Sequence, residues 1–199
     1  MRSVINRNLL AVCVLFMGTQ YVSAQNTLQD QQIRVIRSTD HYQVEVRGDE
    51  LLRTAIKRAS PIVKAGKGYF AQTQWTVEPM FALQTYAGLC RVRQLSVKLR
   101  LKIMMPQLIN SEQLSEQKRK RFDFFYNALS KHERGHAEIA HEAASAVYQA
   151  ISMIPANLDC KAIHEKVEQK YHSILEDYQR KNSDYDQETD FGRTQGAAI

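Results

Sequence analysis

Between positions 120 and 154 apolar residues return every three or four places: Phe122, Phe125, Leu129, Ile139, Ala140, Ala143, Val147, Ala150 and Ile154. That spacing lines them along one stripe of a helix. It predicts a long helix running from a cap at Ser111 to about Met153, broken by Pro155 and Asn157. A second stripe, Ile163, Val167, Tyr171, Ile174 and Tyr178, predicts another helix from about Leu158 to Arg180. Upstream the period changes to two. Tyr69, Ala71, Thr73, Trp75 and Val77 share one face of a strand, and Leu95, Val97, Leu99, Leu101 and Ile103 share one face of a longer strand ended by Pro106. Arg91 and Arg93 break that second alternation, which predicts a bulge or bend beside them. Gln94, Ser96, Lys98, Arg100 and Lys102 take the opposite, wet face.

Shorter signals fill in the rest. Two β-type runs, 33–37 and 41–47, flank Ser38-Thr39-Asp40 and read as a hairpin. Asp49 is placed to cap a short helix carrying Leu51, Leu52, Ala55, Ile56 and Ala59 before Pro61. Gly66 and Gly68 mark a turn. From Asn182 onward the chain is polar and rich in turn formers, and reads as a tail. The sequence has no internal repeat and no low-complexity tract. The order of elements predicts an α+β fold: one domain over 25–199, with a small antiparallel sheet packed on the long helix and a second helix after it.

The first 24 residues change the setting of this domain. Arg2 and Arg7, an apolar run from Leu9 to Met17, and Val22-Ser23-Ala24 have the form of a secretory signal peptide. The run is too short to span a bilayer, so the mature chain is expected to be exported, periplasmic or secreted, without a transmembrane helix. Cys13 leaves with the leader. In an oxidising compartment the remaining pair, Cys90 and Cys160, is expected to form a disulfide, the alternative being two buried thiols. The bridge would join the strand region to the start of the last helix. The formal net charge is +6, and two of those charges belong to the leader. A balance this modest does not call for a nucleic-acid partner, and nothing in the pattern indicates an oligomeric state.

The chemistry lies within the long helix, in His132-Glu133-Arg134-Gly135-His136. In this H-E-x-x-H pattern one helical turn separates the imidazoles, so both can bind one zinc ion, and Glu133 between them can hold a water beside it. Both rings fall on the apolar stripe between Leu129 and Ile139. Bare imidazoles are costly there, at roughly 1–3 kcal/mol for each unpaired polar group. A shared metal ion would satisfy one nitrogen on each ring; ordinary hydrogen-bonded histidines are the plainer reading. Gly135 costs about 1 kcal/mol against alanine within a helix, which suits either a tight packing contact or close approach of a substrate. His141 and Glu142 point away from the motif and read as surface.

The leader, the β-then-α layout, Trp75, Cys90, the strand ending at Pro106, the H-E-x-G-H run, Cys160 and the tail from Tyr185 to Gly196 together resemble a bacterial family. It is domain of unknown function 922, described as predicted secreted zinc-dependent proteases. The resemblance covers most of the mature chain. By analogy with zincin metallopeptidases it implies a zincin-like fold, one Zn2+ held by His132 and His136, Glu133 as general base, and a protein or peptide substrate in the cell envelope. The family's tail commonly carries Thr-x-His-Gly, and this chain has Phe191 where that His stands. A third ligand would then come from Asp190 or Asp186 in the tail, or from His164 or Glu168 on the last helix. Without one, the chain would be a non-catalytic zincin-like scaffold binding an envelope protein or polymer. In a third reading the His pair is structural, and the basic strand face of Lys98, Arg100 and Lys102 sets the function.

Overall fold

The structure is a computed structural model that describes residues 32–64 and 66–199. The signal-peptide reading concerns residues outside this range. Strand β1 (Ile33–Val44) leads into helix α1 (Leu52–Ala59), a small hairpin of β2 (Val63–Lys64) and β3 (Lys67–Gly68), and two long strands, β4 (Gln72–Tyr86) and β5 (Leu89–Leu108). Helices α2 (Glu116–Ser152) and α3 (Cys160–Glu188) follow. The class is α+β, as the pattern predicts. No helix among the described residues is long and apolar enough to cross a membrane.

The sheet differs from expectation. Its order is β1-β5-β4, and β1 lies parallel to β5 while β4 lies antiparallel, so the sheet is mixed. The expected hairpin at Ser38-Thr39-Asp40 is absent: β1 runs straight through, with Ser38 opposite Lys102 and Asp40 opposite Met104. Those three residues include no glycine or asparagine to take the positive φ of a tight hairpin turn, and Asp40 instead pairs with Lys102 at 3.2 Å. The tight hairpin falls elsewhere, between β4 and β5, where Ala87 (φ 51°) and Gly88 (φ 75°) both occupy the left-handed region. The expected irregularity near Arg93 is present as a register shift between Met80 and Ala82, with Gln94 at φ 51°. Pro106 does not end β5. The β4 partner stops at Met104, so the proline lies where only β1 pairs with the strand. The basic face of β5 is matched across the sheet, Lys98 and Arg100 by Glu78 and Lys102 by Asp40.

Helix α2 crosses one face of β5 in the opposite direction, and two apolar cores form along the contact. Ile103 and Met105 pack with Phe122, Phe125 and Leu129 around α1 and the end of β1. Val97, Leu99 and Leu101 pack with Ala137, Ala140, Ala143, Val147 and Ile151 beneath Ile163 and Val167 of α3. His132, Glu133 and His136 lie in the seam between the two cores. Ser115, rather than Ser111, caps α2, accepting from Lys118 N at 3.3 Å; Ser111 begins a preceding 3-10 turn. The expected cap at Asp49 is also absent, since α1 begins after Leu51 without a side-chain cap.

Cys90 and Cys160 are bridged, with Cα atoms 5.2 Å apart and 70 positions between them. A loop of that length gives about 4 kcal/mol in the chain-entropy view of disulfides. The backbone of Asn157 adds two hydrogen bonds to Cys90 beside the bridge. Replacing both cysteines by serine is expected to lower unfolding free energy by about 2–4 kcal/mol, read from the urea midpoint at unchanged slope.

Candidate metal site

Helix α3 does not stop at Arg180. Its inner stripe continues through Asn182, Tyr185, Asp186 and Thr189 at the same spacing, but here it meets the polar motif of α2 instead of the core. The supposed tail from Asn182 therefore begins as helix, through Glu188. The helix ends at three successive residues of positive φ, Asp190 (47°), Phe191 (53°) and Gly192 (81°), which turn the chain back over His132. A Cβ on Gly192 would stand 3.0 Å from His132 Cγ, so only glycine allows this approach.

Three atoms from the two helices converge. His132 Nε2 and His136 Nε2 lie 3.2 Å apart. Asp186 Oδ1 lies 3.2 Å from the first and 3.0 Å from the second. Both histidines are buried, and Asp186 is partly so. The outer ring nitrogens are also engaged. His136 Nδ1 donates to Asn182 Oδ1 at 2.9 Å, and that oxygen also accepts from Trp75 Nε1 at 3.4 Å. His132 Nδ1 has acceptors in Gln195 Oε1 at 3.2 Å and Thr189 Oγ1 at 3.3 Å. With protons on both Nδ1 atoms, the neutral rings turn two bare Nε2 lone pairs toward a carboxylate. Protonating both would put two cations at contact distance. A single divalent cation resolves the conflict, because all three atoms then act as donors to it. The distances fit: a tetrahedral zinc site with bonds of about 2.0–2.1 Å has ligand–ligand edges of about 3.3 Å.

The same groups are coupled electrostatically. Burial alone would raise the Asp186 carboxyl, but hydrogen bonds from both imidazoles hold it well below the usual carboxylate range. Burial disfavours the charged His136 ring, and the hydrogen bond and charge of Asp186 outweigh it and raise that pKa. Glu133 is 3 % exposed. Burial pushes its carboxyl up, opposed by the Thr73 hydroxyl and the two imidazoles. Thr73 Oγ1 donates to Glu133 Oε2 at 2.7 Å, which leaves Oε1 without a hydrogen-bond partner among the described residues.

Tyr185 braces the arrangement. Its ring stacks on His132 at 5.1 Å and meets His136 edge-on at 5.0 Å, while its hydroxyl reaches His132 O at 3.3 Å. That placement accounts for Gly135: a Cβ there would overlap the Tyr185 hydroxyl and ring carbons. Gly135→Ala gains about 1 kcal/mol of helix propensity. It is still expected to lower stability, by up to about 2 kcal/mol net, because overpacking costs roughly 1–3 kcal/mol. Urea denaturation checks it.

Of the four third-ligand candidates, the structure brings only Asp186 to the imidazoles. Asp190 faces Arg193 in an ion pair. His164 lies beside the Phe81 ring at 5.9 Å, and Glu168 beside His172 at 3.5 Å. Glu168 is 18 positions before Asp186, about 27 Å along the helix axis. Phe191 packs at 5.4 Å from Tyr69 at the mouth of the site. Thr73, Asn182, Tyr185, Thr189 and Gln195 were not singled out as site residues from the pattern. The signal for most of them was available, since 182, 185, 186 and 189 continue the helical spacing of the stripe before them.

The cluster forms the floor of a cleft of about 290 Å³ walled by the β2–β3 hairpin, Tyr69, Phe70, Thr73 and Phe191. Fold and site together define an α+β domain whose two long helices join two histidines and a carboxylate beneath an open cleft. The chain belongs to the family described as bacterial protein of unknown function (DUF922), which matches residues 39–192. No curated protein matches the chain, and no solved structure does.

Proposed function

We propose that this chain is an exported zinc-dependent metallopeptidase, in which His132, His136 and Asp186 hold the ion and Glu133 is the general base. The observation that carries the reading is the convergence of three ligand atoms within 4.8 Å of one another at the floor of a cleft, beside a buried glutamate. A zinc ion bound there supplies Lewis acidity, lowering the pKa of water and polarising a carbonyl. The chain's own groups do the rest. Thr73 fixes Glu133 Oε2, and the unpartnered Oε1 takes the proton of the attacking water. A carboxyl raised by burial holds that proton long enough to deliver it to the departing amine. Asn182, Gln195 and Thr189 keep both rings in the tautomer that presents Nε2 inward. The substrate is a protein or peptide of the cell envelope, which follows from the proposed export. Asp186 supplies the ligand that Phe191 does not, so the reading does not need a histidine in the tail.

Metal analysis and hydrolysis of an unfolded, fluorescein-labelled protein test this reading. One zinc ion per chain is expected, with cleavage that stops on chelation and returns with added zinc. A folded chain that binds no metal and cuts nothing would replace it with the scaffold reading.

A further inference from the structure

Of the 25 Lys and Arg side chains among the described residues, ten form ion pairs with acids. Arg47 pairs with Glu45, Arg58 with Glu50, Lys181 with Glu142, and the β5 cations with Glu78 and Asp40. Three of the unpaired cations gather at the cleft. Arg53 of α1 and Lys64 and Lys67 of the β2–β3 hairpin line it, all exposed and without an acidic partner among the described residues. Two of them are held in place by aromatic faces, Arg53 over Phe70 at 5.7 Å and Lys64 over Tyr69 at 5.6 Å. Such contacts orient a cation and leave its charge uncancelled. The cleft's acids are already committed: Asp190 to Arg193, Asp186 to the imidazoles, and Glu133 to Thr73. Once a divalent ion offsets Asp186, the wall carries excess positive charge.

We propose that the cleft selects acidic peptide segments, with Arg53, Lys64 and Lys67 binding carboxylates close to the bond that is cut. Both the peptide occupant and the position of that bond rest on the metallopeptidase reading; the uncancelled charge of Arg53, Lys64 and Lys67 does not. Chain connectivity limits the reach. Phe70, which carries Arg53 on its ring, is three residues before Thr73, and Lys67 is six before it. Thr73 touches Glu133. Extended backbone covers at most about 3.3–3.6 Å per residue, so the Cα atoms of Phe70 and Lys67 lie within about 10–22 Å of that of Thr73. An extended substrate advances about 3.3 Å per residue, so acidic side chains several residues from the bond reach this wall.

The test uses zinc-loaded Glu133→Gln protein, so that binding is read without turnover. Fluorescence anisotropy compares two sets of twelve-residue peptides with equal apolar content, one rich in Asp and Glu and the other in Lys and Arg. The acidic set is expected to bind at least about tenfold more tightly, and Arg53→Glu/Lys64→Glu/Lys67→Glu is expected to abolish or invert the preference. Circular dichroism of that triple variant checks its fold, and Arg53→Gln/Lys64→Gln/Lys67→Gln, which removes charge without reversing it, is expected to reduce the preference to within twofold. A preference under twofold in the parent would overturn the proposal. So would one that survives in both triple variants, or tighter binding of an oligogalacturonate of equal charge. Wild-type protein incubated with both sets separates the two claims. Cleavage without regard to charge keeps the peptidase and removes the acidic preference. Acidic binding without cleavage does the reverse.

Discussion

Glu133→Gln protein is expected to bind one zinc ion with wild-type affinity and to lose turnover by about 10³-fold or more. The amide has the size of the carboxyl and can still accept the Thr73 hydroxyl, whose oxygen lies 2.7 Å from Oε2, so the packing of the seam survives. What disappears is the group able to take a proton. A positioned general base is worth about 10²–10⁴ in rate, and this one would act twice, on the water and then on the amine. Steady-state kinetics on a cleaved peptide and zinc competition against a fluorescent chelator give the two numbers. Equal hydrolysis by the variant and wild type would remove Glu133 from the mechanism.

Loss of Asp186 is expected to act on the metal first. Asp186→Ala removes one of three converging atoms and leaves two Nε2 atoms 3.2 Å apart with no anion beside them. Zinc affinity is expected to fall by more than about 100-fold, beyond the 10–100-fold usual for groups that only orient a ligand. Turnover falls with it at limiting zinc. Asp190→Ala, His164→Ala and Glu168→Ala are expected to stay within about twofold of wild type, because none of these side chains reaches the cluster. If Asp190→Ala lost the metal and Asp186→Ala kept it, the ligand set proposed here would be wrong.

The helices and the central strand were legible because their signals are periodic and local. The alternation from Leu95 to Ile103 and the stripe from Phe122 to Val147 each bury a continuous face, and the structure buries those faces. The direction of β1 was not legible, because Ile33–Val44 is largely exposed on both faces and its partner is more than 60 residues away. A parallel pairing leaves no turn to read. The end of α3 was hidden for another reason. Hydrophobic periodicity finds a helix only where its inner face meets hydrocarbon, and beyond Tyr178 that face meets imidazole. Asn182, Asp186 and Thr189 keep the helical spacing but change its chemistry, so a polar helix face reads as a tail. Asp186 could be named only as one candidate among four until the helix was seen to continue through it.

With the proposed ion bound, the placement of His132, Glu133 and His136 between two separate apolar cores would link folding to metal supply. An ion clasped by both helices would bind the native chain far better than the unfolded one. By linkage, free zinc at about 1,000 times its dissociation constant adds roughly 4 kcal/mol to the unfolding free energy. The melting temperature should therefore climb with the logarithm of zinc activity. In a metal-starved compartment the C-terminal half of α3 would fray first, exposing the chain to degradation, so that abundance of the protein would report zinc status.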